Sequence, residues 1–312
     1  MTSHDLLWKS LLQAFLHEFL EFVAPDLLET HRTRDPSFLD QEAAADLPRG
    51  RVSRLDVLAR LRPLRTGSEP RLLLIHVEIE RDFGTDMDAR MWRYYRHLRL
   101  KYDEPVIPIV LFLSGGRGGV ETRTARETLI GVEISTFTYW AFGLAGAQAV
   151  DYLGRNALSP ALASCMSPEL LGQARLKIRC LEDIVDLQLD EARKFLLVNA
   201  VETYLDLDEG ESMDYAQRMS RSHHAQEIEE MELTWAGRLQ RDAKADGVKE
   251  GEKLGRAKGS QKVIEAMLAE KFGALDGARR RKLRAIDDPE KLNEIGRRLL
   301  KAESWGELGL DD

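Results

Sequence analysis

Residues 105–113 read PVIPIVLFL, a run in which no side chain is polar. A run this short and rich in β-branched residues favours a strand that is covered on both faces, inside a sheet. Residues 71–80, RLLLIHVEIE, predict a second strand. Between the two runs, apolar residues recur every three or four positions, which predicts a helix over residues 82–102: Phe83, Met87, Met91, Tyr94, Leu98 and Tyr102. A strand, a helix and a strand in succession imply parallel pairing, so the pattern predicts an α/β fold.

Two further segments complete the expected sheet. Residues 51–62 alternate partly between apolar and polar side chains, and residues 132–139 form another short β-prone run. An apolar stripe over residues 4–23 predicts an amphipathic helix ahead of the first strand. We therefore expect residues 1–150 to form a mixed four-stranded sheet with flanking helices.

The strand signals stop near residue 150. Residues 151–246 predict a charged helical region, and residues 247–259, GVKEGEKLGRAKG, a flexible linker. Residues 260–312 predict a small helical C-terminal domain. The uncharged apolar runs are far shorter than the roughly 20 residues that a membrane-spanning helix needs. Because two cysteines cannot build a disulfide framework, we expect a reduced, cytoplasmic protein with no membrane association.

The charge of the chain is unevenly distributed. The net charge is −8, but residues 49–126 hold 16 Lys and Arg against 10 Asp and Glu, and 15 of those cations are arginine. Arginine is the side chain best suited to paired hydrogen bonds with phosphate. One basic segment within an acidic chain is compatible with binding a polyanion such as DNA.

Two acidic residues stand in the expected strands. If the turn between the first two strands centres on Gly67, antiparallel partners have numbers that sum to 134, and Asp56 then lies opposite Glu78. Glu80 follows two residues later and points to the same face as Glu78. Opposed carboxylates on neighbouring strands destabilise a sheet unless a cation lies between them, and Mg²⁺ binds such oxygens. In the alternative interpretation these acids face solvent and pair with Arg54, Arg60 or Arg71.

Several ordered blocks of the sequence resemble a known family. The helix HDLLWKSLLQAFLHEFL, the strands RLDVLARL and LLLIHVEIE, and the segment ARMWRYYRHLRLKYDEPVIPIVLFL follow one another over residues 4–142. This order resembles the recombination-promoting nuclease and transposase-like family of the PD-(D/E)XK nuclease superfamily. Residues 255–310, with KVIEAMLAEKFGAL and LNEIGRRLLKAESWGEL, are similar to a small helical domain often fused behind such nucleases. The resemblance implies a restriction-endonuclease-like core.

The family motif is an Asp followed by Glu-x-Lys, often with Gln in place of Lys. Carried over residue by residue, the resemblance implies that Asp56 and Glu78 bind Mg²⁺ or Mn²⁺, with the Ile79 carbonyl as a further ligand. Glu80 occupies the Lys/Gln position. A glutamate can accept a proton from water but cannot supply the positive charge of lysine, so the sequence departs from the motif at its third position.

The helix after the second strand continues the resemblance. Arg90 and Tyr94 are similar to a Gln-x-x-x-Tyr motif of some superfamily members, which implies that both contact phosphate. Arg93 and Arg96 extend the positive charge along the helix. In the alternative interpretation the arginines form a solvated face and Tyr94 lies in the core.

Two other residues are weaker candidates for the same site. Glu18, on the first helix, is a candidate for an outer contact to metal or water, against the simpler interpretation of a surface glutamate. His76 shares the face of Glu78 and is a candidate to support it, against the simpler interpretation of a core histidine.

Together these observations predict a divalent-metal-dependent DNA endonuclease that hydrolyses phosphodiester bonds. The rival hypothesis is a catalytically inactive protein with the same fold that binds DNA or a protein. The expected partner is DNA, with homo-oligomerisation through the helical C-terminal regions as an open alternative.

Overall fold

The computed structural model describes residues 3–39, 55–65, 72–82, 84, 86–115, 117–273, 275–286, 288–299, 302 and 304–308. Residues 51–54 of the first expected strand, and residues 66–70 around the turn at Gly67, lie outside this part of the chain. The described chain forms two compact units, Met1–Trp235 and Ala236–Asp312.

The first unit is an α/β structure around one mixed sheet. Its strands are β1 (Ser37–Phe38), β2 (Val57–Leu61), β3 (Leu73–Glu80), β4 (Val106–Phe112), β5 (Gly119–Leu129) and β6 (Val132–Gly143). Their order across the sheet is β1-β2-β3-β4-β6-β5. β3, β4 and β6 are parallel to one another, and the other neighbours are antiparallel.

The helices of this unit cover both faces of the sheet. They are α1 (Ser3–Ala14), α2 (Leu16–Val23), α3 (Leu27–Thr30), α4 (Met87–Tyr102), α5 (Ser159–Ala163), α6 (Gln173–Asp186), α7 (Glu191–Tyr204), α8 (Glu209–Met219) and the start of α9 (Ala225–Phe272). α4 ends at Asp103, whose left-handed backbone (φ 53°) stops the helix ahead of Pro105 and β4.

Alternation along β3 assigns its side chains to the two faces. Ile75, Val77 and Ile79 belong to the larger core, which also holds apolar residues of α1, α2 and α5–α7. Leu74 faces the other way, into a smaller core beneath α4, and His76 and Glu78 share its parity. One face of β3 is therefore wholly apolar, whereas the face toward α4 carries two buried polar side chains.

The second unit contains the later part of α9, α10 (Gly277–Arg284), α11 (Pro289–Leu299) and a 3₁₀ turn at Gly306–Leu308. Its own apolar core includes Leu268, Leu283 and Leu292. The Gln261 side chain donates hydrogen bonds to the carbonyls of Arg284 and Ile286, 3.2 and 3.0 Å away, which ties the loop after α10 to α9.

The prediction of an α/β fold with a mixed sheet is confirmed, but the expected number of four strands is wrong. The described sheet has six strands, because β1 adds to the edge of β2 and β5 pairs with β6. β5 lacks an apolar face over most of its length, so its sequence gives no clear strand signal.

Beyond residue 150 the described chain is helical, and part of it packs against the sheet. Residues of α5–α7 lie in the same apolar core as the sheet, and the first compact unit continues to Trp235. The backbone of residues 247–259, the expected linker, lies within α9. As domain boundaries, 150, 246 and 259 stay predictions. In the described part of the chain, no helix combines the length and the apolar character that crossing a membrane requires.

Candidate active site

The predicted register between the first two long strands is the observed one. Val57 pairs with Val77 and Leu58 with His76, so partner numbers sum to 134. Asp56 lies at a bend just before β2, and its N–H donates to Oε1 of Glu78 at 3.4 Å. The carboxylates expected to face each other across the strands are therefore brought together at the C-terminal end of β3.

Asp56 is held from two directions. Its Oδ2 accepts a hydrogen bond from the Ile79 N–H at 2.9 Å, and its Oδ1 lies 2.8 Å from Nζ of Lys9 on α1. Burial raises the pKa of Asp56, and the Glu78 carboxylate raises it further, while Lys9 and the Ile79 N–H act in the opposite direction. The bend before β2 turns this carboxylate toward α1, so Asp56 links the helix to the strand.

Glu78 is a buried carboxylate, only 4% exposed. Nε2 of His76 lies 2.8 Å from its Oε1, and His76 is itself fully buried. The His76 ring meets the Tyr94 ring edge to face, with the centroids 5.4 Å apart. Nδ1 of His76 has no hydrogen-bond partner within the described residues. A neutral ring that donates from Nε2 to Glu78 leaves only an acceptor unpaired, so this tautomer fits the contact.

Glu80 forms an ion pair with Arg90 of α4. Burial raises the pKa of Glu80, the charge of Arg90 lowers it, and the charges of Glu78 and Asp56 raise it again. The guanidinium also contacts Sδ of Met87 at 3.5 Å, and its Nε is buried without a partner in the described chain. Glu80 is therefore held in an ion pair that joins β3 to α4.

Formal charges at the site nearly balance. Three carboxylates, Asp56, Glu78 and Glu80, meet two cations, Lys9 and Arg90, which leaves one net negative charge. Oε2 of Glu78 has no hydrogen bond to another described residue. Mg²⁺ prefers hard oxygen ligands and commonly takes only one or two carboxylates together with waters. The donor set of Asp56 and Glu78 fits such an ion.

The same residues do not form a closed metal cage. Over the described ranges, no group of three or more His, Cys, Asp or Glu side chains is arranged to hold a metal ion. Asp56 has a protein partner on each oxygen, and Glu80 is paired with Arg90. An ion at this position would therefore share Asp56 with Lys9.

Lys9 is the residue that the sequence analysis missed. It is 6% exposed, although it lies on a helix that the sequence predicts from its apolar stripe. Leu12 and Leu16 follow it at spacings of three and seven residues, so a lysine interrupts the buried face of the first two helices. A charged residue in an apolar stripe is the signal that could have identified it.

The other predicted contacts divide into two groups. Arg93 and Arg96 are exposed on α4, and the Arg96 guanidinium lies 5.4 Å from the centre of the Trp92 ring. Tyr94 is only 3% exposed and lies in the core with His76, as the alternative interpretation proposed. The backbone carbonyl of Glu18 accepts a hydrogen bond from Asn156, and no contact joins Glu18 to Asp56, Glu78 or Glu80 within the described chain.

A cavity of about 290 Å³ opens beside the same end of the sheet. Arg81, the residue after Glu80, lines it together with His4 and Tyr204. Tyr204 accepts a hydrogen bond from the Trp8 indole at 3.0 Å and lies 3.1 Å from the His4 ring nitrogen. Arg81 therefore lies just after the C-terminal end of β3, on the side of the sheet that α1 covers.

Comparisons with known proteins give no match: no protein-family model, no curated protein and no solved structure resembles the chain closely enough to be matched. The resemblance to the recombination-promoting nucleases therefore rests on the sequence blocks and stays a prediction.

Proposed function

We propose that this chain is a divalent-metal-dependent DNA endonuclease of the PD-(D/E)XK type, with its restriction-endonuclease-like core in the first compact unit. The observation that carries the proposal is the meeting of Asp56 and Glu78 at the C-terminal end of β3, across the register that the sequence predicts. A buried carboxylate beside a half-buried one at the same strand end is costly for a fold that makes no use of them. Lys9 and Arg90 compensate part of that negative charge.

Each residue has a chemical role in this proposal. Asp56, Glu78 and the Ile79 carbonyl would hold the ion, and His76 orients Glu78. A bound Mg²⁺ or Mn²⁺ supplies Lewis acidity and lowers the pKa of bound water. A carboxylate oxygen accepts more than one contact, so Asp56 can keep its bond to Lys9.

The ion pair of Glu80 and Arg90 lies next to these ligands, and Glu80 would take the proton of the attacking water. Glu80, whose pKa burial raises, accepts a proton from the attacking water more readily than an ordinary glutamate. As the water oxygen bonds to phosphorus, the bond to the leaving oxygen breaks, and that oxygen takes a proton from solvent. Lys9, which contacts Asp56, would supply the positive charge that the third motif position lacks and offset the charge that develops on the phosphate.

The surface next to the site supports DNA as the substrate. Arg93 and Arg96 lie exposed on α4, one and two turns beyond Arg90. Phosphate contacts from arginine position a duplex without reading its sequence. We therefore propose that α4 holds the DNA backbone while the end of β3 carries the chemistry.

A second candidate function is a catalytically inactive protein that binds DNA or a protein partner. The observation that favours it is the set of protein partners that the three carboxylates already have, namely Lys9, His76 and Arg90. In this case the ion pairs replace a metal and hold α1, β3 and α4 together.

Plasmid nicking tests the first proposal. The full chain is incubated with supercoiled DNA in Mg²⁺, Mn²⁺ or EDTA, beside the Asp56→Asn and Glu78→Gln variants. Asp103→Asn is the matched control, because it makes the same chemical change at an exposed residue whose left-handed backbone suits Asn. We expect metal-dependent nicking that is lost in both site variants and kept in the control. Nicking that survives Asp56→Asn contradicts the proposal.

Thermal unfolding separates the two candidates without an activity assay. An ion that binds only the folded chain stabilises it by about 2.7 kcal/mol at a concentration 100-fold above its Kd. The endonuclease hypothesis predicts that Mn²⁺ raises the Tm of the native chain but not that of Asp56→Asn. The binding-module hypothesis predicts the same Tm with Mn²⁺ and with EDTA.

A further inference from the structure

The hairpin of β5 and β6 extends beyond the body of the sheet. β6 pairs with β4 only from Trp140 to Gly143, whereas β5 pairs with β6 from Gly119 to Leu129. A two-residue turn, Ile130–Gly131, joins the strands, and both turn residues have positive φ (52° and 76°). The outer half of the hairpin is therefore a two-stranded ribbon, an arrangement that is only marginally stable by itself in water.

The outer edge of β5 is suited to pairing. Among the described strands β5 is the last in the sheet order, and it is eleven residues long, with neither proline nor lysine. The register shift in the hairpin places the extra residue, Ile134, on β6, so β5 itself is regular. Native proteins usually protect such an edge with bulges, prolines or charged side chains, lysine above all. β5 has no bulge, proline or lysine, and its charged residues are two arginines and two glutamates.

The end of the ribbon is also apolar and exposed. Ile130 is 94% exposed, although a β-branched residue is unfavourable in the left-handed conformation of this turn. Further apolar side chains are exposed around it and at the start of β5: Leu129, Val132, Ile134 and Val120. Among the described strands none pairs with the outer edge of β5, and an unpaired edge that is apolar at both ends favours a covering partner.

The charges of β5 fit a second copy of the same strand. In an antiparallel pair related by a two-fold axis normal to the sheet, facing residues share a face, so their numbers have an even sum. In the register in which partner numbers sum to 250, Ala125 lies on the two-fold axis. Arg123 of each copy then lies opposite Glu127 of the other, so the pair occurs twice. The same register brings Val120, near the start of one β5, next to the turn at Ile130 of the second copy, so the apolar ends meet.

The neighbouring registers are electrostatically unfavourable. A sum of 246 sets Arg123 opposite itself, a sum of 248 sets Glu121 opposite Glu127, and a sum of 252 sets Arg126 opposite itself. Like charges directly opposite each other destabilise a sheet, and opposite charges stabilise it. Arg123 already lies 3.6 Å from Glu121 on its own strand, so the register with Ala125 on the axis extends an existing alternation of charges.

We infer that the β5 edge is a homodimer interface, in which two copies pair antiparallel about Ala125 and join their sheets into one. The second copy is the partner that fits best, since one strand supplies both halves of the complementary charge pattern. The inference is independent of the proposed nuclease activity, because it concerns the β5 edge, whereas the candidate site lies at the end of β3, with β4 and β6 between them. It differs from oligomerisation through the helical C-terminal regions, which the sequence left open.

Charge reversal with compensation tests the interface. The molar mass of the full chain is measured by light scattering and sedimentation over a range of concentrations, beside Arg123→Glu, Glu127→Arg and the combined variant. Each single variant sets like charges opposite each other at two symmetric positions, so we expect the dimer to dissociate about tenfold more readily. The combined variant restores opposite charges and is expected to restore the dimer. Glu169→Arg, an exposed residue outside β5, is the control for the change of charge.

Thiol crosslinking tests the register without depending on those variants. Ala125→Cys brings two thiols together at the axis, and a short bismaleimide is expected to link the copies. Leu129→Cys is the matched control on the same strand, because its two copies stand eight residues apart along the strands, about 26 Å. The native chain controls for Cys165 and Cys180, whose pKa values burial raises.

Two results overturn the inference. One is a monomer at every concentration. The other is a dimer that persists unchanged in both single charge reversals and is not linked at Ala125→Cys, since such a dimer uses another surface. A dimer that is weakened by each reversal, restored by their combination and linked at residue 125 supports it.

Discussion

Replacing Lys9 by methionine isolates the ion pair that joins α1 to the strand end. Methionine keeps the length and most of the apolar contact of the lysine stem but leaves Asp56 without its positive partner. At 2.8 Å and an effective dielectric constant of about 20, the attraction between the two charges is about 6 kcal/mol. Part of it offsets the desolvation of Lys9, which methionine does not incur. The expected loss in free energy of unfolding at pH 7.5 is therefore about 3–5 kcal/mol.

The pH dependence of that loss identifies its cause. Because the pKa of Asp56 is raised in the folded state above its ordinary value of 3.8, its ionised form opposes folding at higher pH, and this penalty fades as the pH falls. Lys9→Met removes a charge that lowers this pKa, so the pKa rises further. We expect the gap in stability between the native chain and Lys9→Met to narrow when urea unfolding is repeated at pH 5.

A double variant provides the control. Asp56→Asn alone removes the acid that the buried Lys9 contacts, while Lys9→Met with Asp56→Asn removes both charges of the pair. We expect the double variant to lose less stability than Lys9→Met alone, as is found when buried ion pairs are replaced as a unit. Losses that simply add, or a loss in Lys9→Met below about 1 kcal/mol, would show that the pair is not the cause.

Three further outcomes follow from the same geometry. His76→Phe keeps an aromatic ring against Tyr94 but removes the hydrogen bond to buried Glu78, so denaturant unfolding should show a loss of about 1–3 kcal/mol; an unchanged midpoint would contradict the contact. If Glu80 is the base, nicking by the native chain rises with pH through its raised pKa, and Glu80→Gln abolishes that rise; the same profile in both proteins would exclude the role. Arg93→Ala and Arg96→Ala should each weaken DNA binding equally for unrelated sequences, and removing one arginine–phosphate interaction should reduce the slope of log K against log salt by about 0.9, as titrations at several salt concentrations can measure.

The sequence by itself determined the strand–helix–strand segment at the centre of the fold. Local signals are sufficient there: a short all-apolar run that is rich in β-branched residues and contains proline favours a buried strand. The four- and three-residue spacing of Met87, Met91, Tyr94 and Leu98 defines the buried face of α4. It also predicted the register that brings Asp56 to Glu78, because antiparallel partners centred on Gly67 have numbers that sum to 134, as the observed pairs do.

Only the tertiary structure decided which cations complete the candidate site. Lys9 and Asp56 are 47 residues apart and meet because α1 packs on one face of β3, while Arg90 reaches Glu80 from the helix on the other face. The strand β5 likewise exists through its pairing with β6, since its side chains bury little. Contacts of this kind depend on how apolar faces pack across the whole chain, and no local spacing in the sequence encodes them.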